Sequence, residues 1–159
     1  LLVSIRRVLT SKPTKRGNNM QSYQEVLRVM KCDYNENNFC TVASIATAFN
    51  WSAGKAHRLM KKHGRPHRRG PSWYGFQRAL EDAAQKAERD IEWLGFVGVT
   101  INQFRKSHPT GTYIIAVNAH VLTLKDGEFE DWTERTAGKR KIRACFSNEG
   151  RMFGVAKIN

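Results

Sequence analysis

The spacing of hydrophobic residues changes about halfway along the chain. In the first half apolar residues recur every three or four positions, which is the period of a helix with one buried face. From about residue 91 onward, short apolar runs are separated by glycine, proline and aspartate, which is typical of strands joined by turns. Helices followed by an antiparallel sheet predict a protein of the α+β class.

The clearest predicted helix runs from Phe39 to Phe49, with Asn38 as its N-cap. Its buried stripe is formed by residues spaced i, i+3, i+4 and i+7, namely Val42, Ile45, Ala46 and Phe49. The other helices are predicted at Gln21–Met30, from the cap Ser52 to Gly64, from Ser72 to Ala87, and at Asn102–Lys106 after Thr100. The segment Arg65–Pro71 is predicted to be a basic, irregular loop.

The strands are predicted at Ile91–Val97, Tyr113–Val117, His120–Lys125, Glu128–Trp132, Ile142–Phe146 and Met152–Ile158. Asp126-Gly127 is a strong signal for a two-residue hairpin turn. With that turn, Lys125 pairs with Glu128, and the register places Leu122 opposite Asp131.

Length and composition favour one packed domain. The chain has 159 residues, of which 40% are hydrophobic and 26% charged. No apolar run reaches the roughly 20 residues that span a bilayer, and Leu1–Leu9, interrupted by Arg6 and Arg7, does not resemble a signal peptide. Three cysteines, an odd and small number, argue against a disulfide framework and favour a reducing compartment.

The chain is strongly basic, with 27 Lys and Arg against 14 Asp and Glu and a net charge of +13. Residues 1–19 carry five of the basic residues and no acid, which predicts a basic N-terminal arm or extension before a single domain at 20–159. A field of this sign attracts nucleic acid, acidic proteins or membrane surfaces.

The positive charge is concentrated in two clusters. Residues 55–69 hold seven Lys and Arg, three His and no acid. The residues predicted to contact nucleic acid or an acidic partner are Lys61, Lys62, Arg65, Arg68, Arg69, Lys139, Arg140 and Lys141. The alternative is a solvated helix face. The sequence carries no recognised DNA-reading motif, so any contact with nucleic acid is predicted to be nonspecific.

Cys40 is the candidate nucleophile because it stands at the start of the apolar helix. A helix N-terminus, a nearby imidazolium and hydrogen-bond donors all favour a thiolate, which is the reactive form of cysteine. The alternative is a buried core cysteine. Cys32 is a rival nucleophile, but no apolar helix follows it.

His120 is the candidate base and begins a predicted strand. Strand alternation puts His120 and Leu122 on one face, where Asp131 is a diagonal neighbour at roughly 7–8 Å between backbone positions. A carboxylate there suits the orientation of an imidazole and the choice of its tautomer. The alternatives are a structural histidine and a solvated aspartate at the strand end.

No cofactor is predicted. His57, His63 and His67 do not match a zinc spacing, and no metal ligands are assigned.

These segments, in this order, resemble the papain-like cysteine peptidase superfamily, especially the small versions encoded by tailed bacteriophages, and more distantly bacteriocin-processing peptidases. The matching segments are Asn37–Val42 with its alanine-rich helix, Ala56–Arg65, His108–Ile115, and Ala119–Leu124 with Asp126, Gly127 and Asp131. Together they span about residues 36 to 132.

The resemblance implies a helical half that carries the nucleophile, packed on an antiparallel sheet that carries the base, with a cleft between them. It implies Cys40 as nucleophile, His120 as general base and then acid, and Asp131 as the residue that orients His120. The expected function is hydrolysis of a peptide or amide bond through a thioester, with a protein or peptide as substrate. Deamidation or acyl transfer by the same residues is an alternative.

The sequence departs from the family before the cysteine. Many relatives have glutamine six residues upstream, where this chain has Tyr34, and many have aspartate immediately upstream, where it has Phe39. Asn35 or Asn38 is the expected oxyanion donor instead, beside the Cys40 backbone N–H. A missing donor costs a factor of about 10²–10³ in rate, so the alternative function is a catalytically weak or inactive papain-fold protein that binds nucleic acid or an acidic partner.

The resemblance to phage proteins and the cysteine content together predict a phage-related protein in the host cytoplasm or the virion. Neither indicates an oligomeric state.

Overall fold

A computed structural model describes residues 23–95, 98–117, 120–130, 142, 145–146 and 152–159. Its helices are α1 (Tyr23–Cys32), α2 (Cys40–Phe49), α3 (Ala53–Lys62), α4 (Trp73–Lys86) and α5 (Ile101–Ser107). Its strands are β1 (Ile91–Leu94), β2 (Thr112–Val117), β3 (His120–Lys125), β4 (Glu128–Glu130), β5 (Cys145–Phe146), β6 (Met152–Phe153) and β7 (Val155–Ile158). The predicted α+β class is confirmed. The predicted arm at 1–19, Asp131, and Lys139, Arg140 and Lys141 lie outside the described residues.

Helix α2 is the centre of the helical half. Nine of its ten residues are buried, and it packs against α1, α3, α4 and β3. Its alanines, serine and threonines are small, so the neighbouring elements approach closely on every side. In the described part of the chain, no helix combines the length and the apolar character that crossing a bilayer requires.

The predicted N-cap of α2 is wrong. Phe39, not Asn38, occupies the cap position, and it makes no side-chain capping hydrogen bond. Asn38 has a left-handed backbone, with φ of 51°, whereas an N-cap residue is extended. Its side-chain amide instead donates to the Arg68 carbonyl oxygen at 3.3 Å.

Three other predicted helix starts, at Ser52, Ser72 and Thr100, are confirmed by their capping bonds. The Ser52 hydroxyl accepts from the Lys55 backbone N–H at 3.2 Å, and the Ser72 hydroxyl accepts from the Gly75 N–H at 3.0 Å. The Thr100 hydroxyl accepts from the Gln103 backbone N–H at 3.2 Å, and the Gln103 side-chain oxygen accepts from the Thr100 N–H at 2.8 Å, which forms a capping box.

The five-stranded sheet has the order β1–β7–β2–β3–β4, with every pair antiparallel. The predicted pairing of Lys125 with Glu128 is confirmed across the Asp126-Gly127 turn. The predicted strand at 152–158 is instead two strands that meet at Gly154, because β6 pairs with β5 while β7 joins the large sheet.

The two faces of the sheet pack against different elements. Ile114, Ala116 and Val121 belong to the core shared with the four N-terminal helices. Ile115, Leu122 and the other residues of the opposite face form a second core with α5. The helical half therefore covers one face only, and α2 lies against β3 there.

Candidate active site

Cys40 and His120 line the same cavity, although 80 residues separate them in the sequence. The cavity has a volume of about 260 Å³, and its walls are formed by Cys40, Gly70, Pro71, Trp73, Phe76, His120 and Val121. We call it the Cys40 cavity. The fold thus brings together two of the three predicted catalytic residues.

Cys40 is the first residue of α2, is partly exposed and is a free thiol. The first N–H groups of a helix have no partner within the helix, and they carry the positive end of its dipole. Since Phe39 supplies no side-chain cap, this end of α2 is suited to stabilise a negative charge on sulfur or on an oxygen bound beside it.

His120 is the first residue of β3, where it pairs with Val117 on β2. It is only 7% exposed, so water is largely excluded from its surroundings. At the start of β3 it lines the Cys40 cavity, next to Val121. Asp131, the predicted orienting residue, lies outside the described residues.

A buried carboxylate organises the loops on either side of the Cys40 cavity. Glu36 accepts hydrogen bonds from the Arg65 guanidinium at 3.2 Å and from the Arg68 backbone N–H at 2.7 Å. The second carboxylate oxygen of Glu36 lies 2.9 Å from Nδ1 of His67. We call these four residues the Glu36 cluster.

The Glu36 cluster joins two segments that are distant in sequence. Arg65 also donates to the carbonyl oxygens of Asn37 at 3.2 Å and Asn38 at 3.5 Å, which lie just before Cys40. From Arg65 the chain continues to Gly70 and Pro71, which line the cavity. The cluster therefore fixes the position of one cavity wall relative to the start of α2.

Asn37 strengthens the same connection. In the orientation that satisfies both of its polar atoms, its amide donates to the Arg68 carbonyl oxygen at 2.6 Å and accepts from the Arg68 guanidinium at 3.2 Å. The Asn37 side chain thus binds both the backbone and the side chain of Arg68, which joins the segment leading into α2 to the loop after α3.

Opposing effects set the pKa of Glu36. Burial raises the pKa of its carboxyl, but hydrogen bonds from Arg65, the Arg68 backbone and His67 outweigh burial, and the pKa lies below its ordinary value. Glu36 is therefore a carboxylate at neutral pH.

His57 lies beside the cluster, with its Nε2 4.0 Å from a Glu36 oxygen, and its ring packs on Tyr34 at 4.6 Å between centroids. Burial lowers the pKa of His57 despite the nearby carboxylate. The imidazole is therefore neutral at pH 7.

The prediction that Arg65 contacts an external partner is wrong. Its side chain is 1% exposed and is held by Glu36, so its guanidinium is not available to a phosphate or an acidic protein. Lys61, Arg68 and Arg69 are exposed as predicted. Lys62 is exposed but forms an ion pair with Asp82 at 3.1 Å.

Neither of the predicted oxyanion donors is among the described residues that line the Cys40 cavity. Asn35 and Asn38 are both exposed, and both have left-handed backbones, with φ of 49° and 51°. Their role in stabilising an oxyanion remains a prediction. The backbone N–H groups at the start of α2 are the donors nearest to the thiol along the chain.

Two features of the site were not predicted from the sequence. The first is Glu36, and the second is the contribution of Gly70 and Pro71 to the cavity wall. One feature of the sequence pointed to Glu36: the chain has no acid from residue 37 to residue 80, so a buried arginine in that stretch needs a partner from outside it.

Within the described residues, no three histidine, cysteine, aspartate or glutamate side chains are grouped to hold a metal ion. Comparison of the chain with models of protein families, with curated proteins and with solved structures finds no match.

Proposed function

We propose that this protein is a cysteine-dependent hydrolase that cleaves a peptide or amide bond, with Cys40 as nucleophile and His120 as base. The observation that carries the proposal is that both side chains line one cavity, with the thiol at a helix N-terminus and the histidine at a strand end. The resemblance to papain-like peptidases points to the same pair.

In the proposed reaction, His120 takes the proton of the Cys40 thiol, and the thiolate attacks the acyl carbon of the substrate. The oxyanion that forms accepts hydrogen bonds from backbone N–H groups at the start of α2. Collapse of this intermediate breaks the C–N bond, and His120 gives its proton to the departing amine. His120 then removes a proton from water, which attacks the thioester. The C–S bond breaks, the acid leaves, and His120 returns the proton to the Cys40 thiolate. Asp131 is proposed to orient His120.

The cavity walls favour an apolar group next to the scissile bond. Trp73, Phe76 and Val121 present apolar surface to the cavity, and burial of such a group is favourable by about 25 cal/mol per Å². The proposed substrate is therefore a protein or peptide with an apolar side chain near the bond that is cleaved. By its resemblance to phage proteins, the protein is proposed to act in a host cell or a virion.

The decisive test measures thiol reactivity against pH. The protein is treated with iodoacetamide from about pH 4 to 9, and the labelled cysteines are mapped by mass spectrometry. Labelling of Cys40 well below the ordinary thiol pKa of about 8.5, and its loss in His120→Ala, is expected. Cys32, an exposed free thiol in the same molecule, is the internal reference.

Equal pH profiles for Cys40 and Cys32, unchanged by His120→Ala, would contradict an activated thiolate. If Cys40 is activated, peptide libraries follow, with Cys40→Ala as the inactive control. Turnover that persists in Cys40→Ala would refute the assignment of the nucleophile.

A further inference from the structure

A second cavity, separate from the Cys40 cavity, lies between α3 and α4 and is bordered by four cations. Its volume is about 210 Å³, and its walls are formed by Trp51, Lys55, Arg58, Leu59, Lys62 and Lys86. None of the described residues that line it is acidic, and it shares no lining residue with the Cys40 cavity. We call it the α3–α4 cavity.

Two of the four cations already have a carboxylate partner. The ammonium groups of Lys62 and Lys86 lie 3.1 and 3.7 Å from the oxygens of Asp82. Asp82 also binds Nε2 of His63 at 2.7 Å. These contacts hold the pKa of Asp82 below its ordinary value, with the His63 hydrogen bond as the largest cause. Asp82 is therefore shared among three basic groups.

The other two cations, Lys55 and Arg58, have no carboxylate within ion-pair distance in the described part of the chain. The Lys55 ammonium lies 3.8 Å from the centre of the Trp51 ring. Trp51 is 8% exposed, so its buried ring packs beneath the Lys55 ammonium group. Four cations at one cavity are thus balanced by a single carboxylate.

Helix periodicity explains why these groups converge. Lys55, Arg58 and Lys62 lie on one face of α3 at a spacing of three to four residues, and Lys86 comes from the last turn of α4. Like charges held together in this way repel one another, and a bound anion relieves the repulsion.

We propose that the α3–α4 cavity binds a phosphoryl group, either of a nucleic acid backbone or of a free polyphosphate. A phosphoryl group offers several oxygens and a high charge, which suit lysine ammonium groups and the fork of an arginine guanidinium. The nearby Lys61 is exposed, and residues 37–80 contain no Asp or Glu. Phosphates next to the bound one therefore also meet a positive field. The site does not depend on the proposed hydrolase activity.

The experiment measures binding of a short fluorescein-labelled oligothymidine by anisotropy, over a series of salt concentrations. The full chain is compared with Lys55→Gln/Arg58→Gln and with Lys31→Gln/Lys106→Gln, which removes the same charge from two exposed positions outside the cavity. We expect the cavity double variant to bind about tenfold more weakly or worse at low salt. Its salt slope is expected to fall by about 1.4, since each phosphate contact on a single strand contributes about 0.7.

Further variants and ligands distinguish the outcomes. Lys55→Arg/Arg58→Lys keeps the charges and is expected to retain most of the binding, which separates loss of charge from loss of fold. If pyrophosphate displaces the labelled oligothymidine at a concentration similar to that of unlabelled oligothymidine, a free polyphosphate is a ligand. If only unlabelled oligothymidine displaces it, the ligand is the phosphodiester backbone. Equal weakening in the two Gln double variants, no binding of either ligand, or equal binding of polyglutamate through the same residues would overturn the proposal.

Discussion

The carboxylate of Glu36 accepts a hydrogen bond from the guanidinium of Arg65 at 3.2 Å, and both side chains are 1% exposed. Glu36 lies four residues before Cys40, and Arg65 lies five residues before Gly70 in the cavity wall. A buried ion pair rarely adds net stability, but it does fix two segments in one arrangement. Here those segments border the cavity that holds the candidate nucleophile.

Replacement of Glu36 by glutamine leaves the Arg65 guanidinium buried without a counter-charge. Loss of one partner from a buried pair costs about 3–5 kcal/mol, so we expect a drop of that order in the free energy of unfolding, measured in urea. Because the cavity wall is released, the ratio of Cys40 to Cys32 labelling by iodoacetamide is also expected to change. Glu25→Gln, which removes an exposed pair with Arg28, is the matched control. Equal stability of the two variants would show that the Glu36 cluster has no structural role.

The free energy of unfolding is expected to decrease in two stages as the pH is lowered. Burial holds the pKa of His57 below its ordinary value of 6.5, so the unfolded chain binds a proton before the folded protein does. The contribution of His57 is therefore complete above pH 6.5 and is lost as the pH falls below it, by at most about 1.4 kcal/mol per pH unit. The pKa of Glu36 also lies below its ordinary value of 4.5, so a further loss begins below that pH.

Urea unfolding of His57→Gln across this pH range tests the first stage. The variant is expected to show a flatter dependence between about pH 7 and 5, with the loss below pH 4.5 retained. His108→Gln removes an imidazole that stacks on Phe104, away from the Glu36 cluster, and serves as the control. If the free energy of unfolding depends on pH equally in the wild type and in His57→Gln between about pH 7 and 5, the first stage is not due to His57.

Gly75 is predicted to resist substitution, although alanine favours helices. A methyl group at this position in the first turn of α4 would lie 2.9 Å from the His63 carbonyl oxygen, and a backbone atom cannot move aside. We therefore expect Gly75→Ala to lower the melting temperature, against the gain of roughly 0.5–1 kcal/mol expected from helix propensity. Gly70→Ala is the control, since nothing lies within 4 Å of that position. A melting temperature that rises in Gly75→Ala would show that α3 and α4 are packed less closely.

Trp73 is predicted to select the group that enters the Cys40 cavity. In the wild type, we compare the ratio of the rate with an aromatic maleimide to the rate with iodoacetamide. This ratio is expected to be higher at Cys40 than at Cys32. Trp73→Ala removes apolar wall and is expected to abolish this preference while labelling by iodoacetamide persists. Trp93→Ala, which alters a different cavity, is expected to leave the preference unchanged. A preference that survives in Trp73→Ala would place the selecting surface elsewhere.

Elements that depend on neighbouring residues were predicted well. Ser52, Ser72 and Thr100 cap helices through bonds to backbone groups three positions later, and Asp126-Gly127 fixes the register of its hairpin locally. The N-cap of α2 was predicted wrongly because Asn38 is a good cap by residue type, whereas in the fold its backbone is left-handed and its side chain binds the loop after α3.

Features that depend on distant pairs were not predicted. The position of β7 between β1 and β2 requires the last strand to insert between two earlier ones, and no local pattern encodes that order. Likewise, Glu36 and Arg65 each resemble ordinary surface residues until the fold brings them together. The convergence of Cys40 and His120 is an exception, because their residue types at a helix start and a strand start, together with the family resemblance, pointed to one site.

The central place of β7 has a consequence for the order of events during synthesis. Strands β1 and β2 do not pair with each other, because each pairs with β7. At about 5–20 residues per second, several seconds pass between the emergence of β1 and the addition of Val155. During that interval β1 lacks its partner, and one edge of the growing hairpin array is open to other chains. The large sheet is thus completed only after β7, the last of its five strands in sequence order, has been made, and in a crowded cell that delay exposes the open edge to aggregation or to capture by a chaperone.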